Sequence, residues 1–120
     1  MRTRRTATIR PTTLASTQRA IDTMVLRIVE QFDPERIILF GSRGRGDARP
    51  DSDVDLLVVM PVDGSTREKA IEIRLALHDI PVAKDVIVVT PESFRWRQKV
   101  VGTIEWPAVH EGKVLHVRER

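Results

Sequence analysis

Three aspartates occupy alternating positions where a glycine-rich segment gives way to an apolar run. Within GSRGRGDARPDSDVDLLVVM they are Asp51, Asp53 and Asp55. Side chains alternate between the two faces of a strand, so Asp53 and Asp55 are expected to point to the same side of a strand that begins here. Two carboxylates held that close repel each other, and one tends to remain protonated unless a cation lies between them. The spacing therefore predicts a cation-binding site.

The candidate ligands are all oxygen donors, with no histidine or cysteine nearby, which indicates a hard ion such as Mg²⁺ or Mn²⁺. Two such ions about 3.5–4 Å apart form the clamp that enzymes use for phosphoryl and nucleotidyl transfer. That chemistry usually needs another carboxylate. Asp85 is the candidate, because it begins a predicted third strand just as Asp53 begins the second, and it would share a face with Ile87 and Val89.

A second candidate element, Gly41-Ser42, directly follows a predicted strand. Glycine lets the backbone approach an anion closely, and the serine hydroxyl can cap a helical turn or donate to a phosphate. Arg43 and Arg45 add positive charge to the same turn. A phosphate cradle that faces a pair of metal-binding carboxylates is the outline of a nucleoside triphosphate site.

Three better known motifs are excluded by single residues. A P-loop needs lysine and then serine or threonine after its second glycine, but Gly46 is followed by Asp47-Ala48. A dinucleotide fingerprint lacks its third glycine, because Arg49 stands there. An EF-hand loop that began at the first aspartate would have Leu56 at its glycine position and Val62 at its glutamate position. An isolated Asp-x-Asp is common in turns. The hypothesis of a nucleoside triphosphate site therefore depends on the combination of Asp-x-Asp with Gly-Ser and Asp85.

Helices are predicted on both sides of these motifs. Apolar residues at helical spacing predict a helix over roughly residues 15–32, ended by Asp33-Pro34: they are Ile21, Met24, Val25, Ile28, Val29 and Phe32. Ser65-Thr66-Arg67-Glu68 is a capping box that opens a helix running to about Asp79. Thr90 and Pro91 supply the N-cap and first position of a further helix.

The predicted strands alternate with these helices: Ile37–Phe40, Asp53–Met60, Asp85–Val89 and a final edge strand, Val114–Val117. Residues 41–50 are expected to form a turn with one helical turn inside it. Gly102 and Pro107 are expected to break the segment after the third helix into short pieces. The fold class is therefore α/β or α+β around a small sheet.

Composition places limits on the surroundings of this domain. The chain has 120 residues, which predicts one domain, and no cysteine, which excludes disulfides and thiolate metal sites. Residues 1–13 carry Arg2, Arg4, Arg5 and Arg10 and no acid, while the rest holds 16 basic and 17 acidic side chains. We therefore expect a basic flexible tail at 1–13, a domain at 14–120, no nucleic-acid partner, no membrane span and a cytoplasmic location.

The motif resembles the minimal nucleotidyltransferases, the MNT domain proteins of the DNA-polymerase-β-like nucleotidyltransferase superfamily. Their signature is Gly-Ser, ten residues and Asp-x-Asp, usually with Ala-Arg-Gly after the serine. Eight positions fall on that pattern: Gly41, Ser42, Arg45, Gly46, Ser52, Asp53, Asp55 and Leu56. Gly44 replaces the usual alanine, which we expect to be harmless. The segments PERIILF and VGTIEWPAVHEGKVLH are also similar, so the resemblance covers about residues 14–120.

The resemblance implies a nucleotidyltransferase fold, with a small mixed sheet flanked by helices, and a role for each motif residue. Asp53 and Asp55 would hold both of two Mg²⁺ ions. Asp85 would bind the catalytic ion near the attacking hydroxyl. Gly41 and Ser42 would hold the β- and γ-phosphates of ATP, with Arg45 in the same nucleotide-binding turn.

The implied reaction is in-line attack of an acceptor hydroxyl on the α-phosphate of a nucleoside triphosphate, with release of pyrophosphate. Many proteins of this kind are antitoxins paired with a HEPN-domain toxin, and some transfer AMP to a tyrosine of that toxin. We expect the partner to be a separate HEPN-domain polypeptide. Self-modification on tyrosine is excluded because the chain contains no tyrosine. Two alternatives stay open: a non-catalytic antitoxin that acts by binding alone, and a small-molecule nucleotidyltransferase.

Overall fold

The computed structural model describes residues 14–49 and 51–119, so the predicted basic tail at 1–13 lies outside the described residues. Four strands and five helices follow one another along this part of the chain, alternating except where α5 directly follows α4. The strands are β1 (Arg36–Phe40), β2 (Val54–Val59), β3 (Lys84–Val89) and β4 (Lys113–Val117). The helices are α1 (Leu14–Phe32), α2 (Gly41–Arg45), α3 (Thr66–Ala76), α4 (Pro91–Arg97) and α5 (Glu105–Glu111).

The four strands form one mixed sheet in the order β3-β2-β1-β4. β2 and β3 are parallel, whereas β1 runs antiparallel to both β2 and β4. The predicted fold class, a small mixed sheet flanked by helices, is confirmed. Because β2 and β3 are parallel neighbours, their first residues meet at the same end of the sheet.

Helices cover the two faces of the sheet unequally. On one face, α1 and α3 bury a large core that includes Met24, Ile28, Leu56 and Ile73, none of which is exposed to solvent. On the other face, α4 and α5 cover a smaller cluster of Ile38, Leu57, Val59, Phe94 and Ala108. Phe40, Ile87 and Val89 are only partly buried on this second face. The second face therefore stays partly open beside the first residues of β2 and β3.

The predicted helix starts agree with the structure. The Ser65 hydroxyl accepts a hydrogen bond of 3.1 Å from the Glu68 N–H, and the Thr90 hydroxyl accepts one of 3.2 Å from the Ser93 N–H. These side chains satisfy backbone donors that have no partner inside the helix. None of the helices in the described ranges has the length and apolarity that crossing a membrane would require.

The end of α3 and the effect of Pro107 differ from their predictions. α3 ends at Ala76 and not at Asp79, because the N–H groups of Leu77 and His78 bond to carbonyls three residues back, which tightens and closes the last turn. Pro107 does not break the chain but lies inside α5. It occupies the third helical position, where a backbone N–H would have no intrahelical acceptor, so its missing donor costs little.

Candidate active site

Two of the predicted site aspartates lie side by side on neighbouring strands. The register pairs Phe40 of β1 with Asp55 of β2, and Asp55 with Asp85 of β3. Residues that are paired across neighbouring strands point to the same face of a sheet, and adjacent strands are about 4.8 Å apart. The Asp55 and Asp85 carboxylates therefore share one face, the one that α4 and α5 cover only in part. The next row on that face is Ile38, Leu57 and Ile87. A charged row therefore borders an apolar one.

Asp53 lies just outside the sheet, because β2 begins at Val54 and not at Asp53 as predicted. It is nevertheless close enough to act on its neighbour. Burial raises the pKa of the Asp55 carboxyl, and the negative charges of Asp85 and Asp53 raise this pKa further. The structure thus brings Asp53 and Asp85 within electrostatic reach of Asp55, and each of the two makes ionisation of Asp55 less favourable.

Gly41 joins β1 to the short helix α2 and directly abuts the Asp55 carboxylate. Its φ angle of 69° lies in the left-handed region that favours glycine. A Cβ atom at this position would also overlap Oδ2 of Asp55. Ser42 follows, and its carbonyl accepts hydrogen bonds of 3.0 Å from the N–H groups of Gly46 and Asp47. The predicted Gly-Ser turn and the predicted carboxylate therefore lie in contact, as a joint triphosphate and metal site requires.

The two arginines of the turn have different surroundings. Arg43 is buried and donates to the Ser52 carbonyl from Nε at 3.1 Å and from Nη2 at 2.7 Å. It therefore ties α2 to the residues that immediately precede Asp53, a structural role that its sequence position did not predict. Arg45 is exposed, and its Nε lies 3.4 Å from Oδ2 of Asp47. The structure does not bring Arg45 into contact with the carboxylate row.

Gly44 stands where the signature that the motif resembles usually has alanine. It permits a close contact of α2 with β1 and with the residue that follows α5. A Cβ atom there would lie 2.5 Å from the Leu39 carbonyl oxygen and 3.2 Å from the Cα of Gly112. Gly112 follows α5, so the two glycines pack α2 against the junction of α5 and β4. Glycine at this position therefore leaves no room for a Cβ atom without movement of the Leu39 backbone.

Arg74 contacts the candidate site although its sequence position gave no indication of it. It lies in the last turn of α3, and its Nη1 is 3.3 Å from Oδ1 of Asp85. Half of the Asp85 side chain, 51%, is exposed, so this ion pair lies in a solvated cleft. No spacing rule finds such a residue, because its position depends on how α3 packs over β3.

The carboxylate row suits a magnesium ion that is shared with a substrate. No three His, Cys, Asp or Glu side chains of the described residues are arranged to hold a metal ion by themselves. Mg²⁺ usually takes only one or two carboxylates and completes its shell with water and substrate phosphates. The donors are all oxygens, and burial together with the charges of Asp85 and Asp53 raises the pKa of Asp55, an effect that a bound cation would oppose. The donor chemistry of Asp53, Asp55 and Asp85 is therefore compatible with a Mg²⁺ ion whose shell water and a triphosphate would complete.

The comparison with solved structures supports the fold. A proposed nucleotidyltransferase of Sulfolobus solfataricus aligns with a TM-score of 0.63 and 18% identity, over 97% of this chain and 96% of that one. A chain from a crystal structure of a toxin–antitoxin with AMP-PNP aligns with a TM-score of 0.50 and 23% identity, over 82% of this chain and 74% of that one. No protein of curated function matches the sequence significantly.

The sequence itself matches a known domain family. The nucleotidyltransferase domain family matches residues 22–109, which is most of the chain. The matched segment contains the Gly41-Ser42 turn, Asp53, Asp55 and Asp85, so it includes the whole carboxylate row and the strands that carry it. The chain belongs to the nucleotidyltransferase domain family.

Proposed function

We propose that this chain is a Mg²⁺-dependent nucleotidyltransferase that moves AMP from ATP to a hydroxyl group of a partner protein. Family membership gives the reaction class, nucleotidyl transfer. The observation that carries the finer proposal is the contact of the Gly41 turn with a carboxylate, Asp55, that lies beside Asp85 on the next strand. A site for phosphates and a site for their counterions are thereby adjacent.

Each residue has a defined task in this proposal. Asp53, Asp55 and Asp85 hold two Mg²⁺ ions, with Asp85 nearest to the attacking hydroxyl. Bound Mg²⁺ supplies charge neutralisation and lowers the pKa of the acceptor hydroxyl. The backbone of Gly41 and the hydroxyl of Ser42 orient the β- and γ-phosphates. The acceptor hydroxyl gives up its proton to solvent and its oxygen attacks the α-phosphorus. The bond from that phosphorus to the oxygen that bridges the α- and β-phosphates breaks, and pyrophosphate leaves.

The open face of the sheet supports a macromolecular acceptor. The Asp85 side chain is half exposed, and the apolar residues beside it, Phe40 and Ile87, are only partly covered. A hydroxyl presented on the surface of another protein can reach such a cleft, whereas a small acceptor would find little enclosure there. This favours a protein acceptor over a small-molecule acceptor.

We propose further that the partner is a separate HEPN-domain toxin, that the acceptor is one of its tyrosines, and that the chain acts as its antitoxin in the cytoplasm, where ATP and Mg²⁺ are supplied. Two observations support this part: the motif resembles the MNT antitoxins, and a structural neighbour comes from a toxin–antitoxin with AMP-PNP. A phenol is long enough to extend from a partner's surface into the cleft.

Intact mass spectrometry tests the proposal. The purified chain is mixed with the product of its neighbouring gene, Mg²⁺ and each nucleoside triphosphate in turn. We expect the partner to gain one or more AMP units with ATP. The gain should be absent with Asp53→Asn and preserved with Asp63→Asn, which removes an exposed carboxylate outside the row. An unmodified partner that is silenced in a stoichiometric complex would instead establish an antitoxin that acts by binding alone.

A further inference from the structure

A second cavity lies at the far end of the face that carries the carboxylate row. We call it the distal cavity; its volume is about 270 Å³, and Ile38, Val59 and Phe94 form its buried apolar floor. Val59 is four residues beyond Asp55 along β2, which corresponds to about 13 Å. The distal cavity is therefore separate from the candidate active site.

Two arginines without an anionic partner border the distal cavity. The Arg36 guanidinium lies 5.9 Å from the centre of the Phe94 ring, and Arg95 extends from α4. Neither guanidinium has a hydrogen bond or an ion pair with another side chain or carbonyl in residues 14–49 and 51–119. Glu35 also lines the cavity but lies 3.8 Å from Arg118. The cavity thus combines an apolar floor with uncompensated positive charge, which suits a carboxylate on an apolar chain.

A free strand edge borders the same cavity. β4 is the last strand of the sheet order and pairs only with β1 within the described ranges. Val114 lines the distal cavity, and its side chain and that of Val117 remain 53% and 48% exposed. The outer backbone groups of an edge strand are ready to pair with an extended chain. A segment that paired with β4 would carry its side chains past the cavity mouth.

We propose that the edge of β4 and the distal cavity together bind an extended acidic segment of a partner protein. The segment adds a strand beside β4, places apolar side chains on Val114 and Val117, and directs an aspartate or glutamate towards Arg36 and Arg95. This interaction surface does not depend on the triphosphate site, and it would hold a partner on the same face of the sheet as the carboxylate row.

Charge argues against a second copy of the chain as the occupant. A two-fold symmetric contact presents the same patch from both subunits. That patch holds Arg36, Arg95 and Lys113 but only one acidic residue, Glu35, so two copies would bring together an excess of positive charge. An acidic segment instead forms charge-assisted hydrogen bonds with both arginines and buries the valines.

A peptide selection tests this surface. Random linear peptides displayed on phage are selected on the full chain, and the enriched peptides are measured against Arg95→Glu, against the double variant Arg36→Glu/Arg95→Glu, and against Arg67→Glu as a control. Arg67 is an exposed arginine of α3 with no ion pair among the described residues. We expect peptides in which an acidic residue lies two positions from an apolar one, because both side chains must point to the same face of the added strand. Their affinity should fall about tenfold or more in both cavity variants and stay unchanged in the control.

Amide chemical shifts then locate the bound peptide. We expect shifts along residues 113–117 and at the cavity, and not along the opposite edge, β3. Enrichment of non-acidic peptides, equal loss in the Arg67→Glu control, or binding at β3 would overturn the proposal. Self-association of the chain that Arg95→Glu abolishes would also overturn it, because the occupant would be a second copy.

Arg95 is exposed, so its variant keeps the test valid if Arg36→Glu unfolds. Nucleotide binding, measured separately, reports on the active site alone.

Discussion

At the scale of single residues, Asp55 connects the phosphate-binding turn of the candidate site with its carboxylates. Its carboxylate is within electrostatic reach of Asp53 and Asp85 and abuts Gly41. Without a cation, burial and like charge both oppose its ionisation and raise its pKa. The metal-free site therefore lowers the free energy of unfolding at neutral pH, and we expect a bound cation to restore it.

Asp55→Asn should stabilise the metal-free protein at neutral pH, by less than about 1 kcal/mol because the carboxylate is partly solvated. The pKa of folded Asp55 lies above its ordinary value of 3.8, so the folded state binds the proton more tightly than the unfolded state. The wild-type free energy of unfolding should thus fall as pH rises from about 3.8 through the raised pKa. Urea titrations in EDTA should show the advantage of the variant vanishing in acid. A variant less stable than the wild type at pH 7 would contradict this account.

Asp85→Ala should reduce turnover by orders of magnitude while ATP still binds, because the Gly41-Ser42 turn, Asp53 and Asp55 remain. Single-turnover assays and equilibrium dialysis separate the two effects. Asp85 also contacts Arg74, so the matched control is Arg74→Ala. A loss of turnover that Arg74→Ala reproduces in full would assign the effect to the ion pair and not to a metal ligand.

Gly41→Ala should both strain the backbone and displace the Asp55 carboxylate. Gly64→Ala is the strain control, because Gly64 also has a positive φ, 102°, but no atom within 4 Å of an added Cβ. Each variant should lose about 1–2 kcal/mol from the left-handed conformation. Only Gly41→Ala should also weaken binding of Mg²⁺, measured with Mn²⁺ by electron paramagnetic resonance. Equal Mn²⁺ affinity in both variants would show that Gly41 does not fix Asp55.

The sequence was sufficient for those site residues whose relation is local. The spacing predicted that Asp53 lies near Asp55, although Asp53 precedes β2, and the Gly-Ser turn was expected at the end of β1, where Gly41 lies. It was not sufficient for Arg43, which was expected near phosphate and instead binds the Ser52 carbonyl, or for Arg74. Both depend on how a helix or loop packs in three dimensions, which residue spacing does not encode.

At the scale of elements, a buried ion pair joins α4 to α5. Glu105, the first residue of α5, is 1% exposed, and both of its carboxylate oxygens lie 3.1 Å from Nε of Arg97. The Arg97 side chain is 39% exposed. Water can therefore solvate the Arg97 guanidinium when Glu105 is replaced. It cannot reach the Glu105 carboxylate when Arg97 is replaced. This pair fixes the helices that form one wall of the distal cavity.

Arg97→Ala should destabilise the protein by about 3 kcal/mol, because it leaves the Glu105 carboxylate buried without a partner. Glu105→Gln should cost less, about 1 kcal/mol, because the released guanidinium can reach water. Arg95→Ala, on the same helix but without an ion pair, should change the free energy of unfolding by less than about 0.5 kcal/mol. Urea unfolding measures all three. A larger loss in Glu105→Gln than in Arg97→Ala would contradict the assigned asymmetry.

At the scale of the whole molecule, the alternation of helix and strand was predictable from apolar periodicity and from N-cap residues such as Ser65 and Thr90. The strand order and the pairing of β1 with β4 were not, since they depend on contacts between distant segments. That order has a consequence for function. It places the carboxylate row and the distal cavity at opposite ends of one sheet face, and the stability of the sheet at its charged end depends on what is bound there.

Mg²⁺ with a non-hydrolysable ATP analogue should therefore stabilise the entire domain. A ligand at one hundred times its Kd contributes about 2.7 kcal/mol. For a domain of this size we expect a rise in Tm on the order of 10 °C at saturation. Mg²⁺ alone should give a smaller rise, because it neutralises the row without the phosphate contacts of Gly41 and Ser42. Differential scanning calorimetry should find the shift abolished in Asp55→Asn and intact in Asp63→Asn. If Asp55→Asn retained the full shift, the nucleotide would be bound somewhere other than the carboxylate row, and the proposed active site would be wrong.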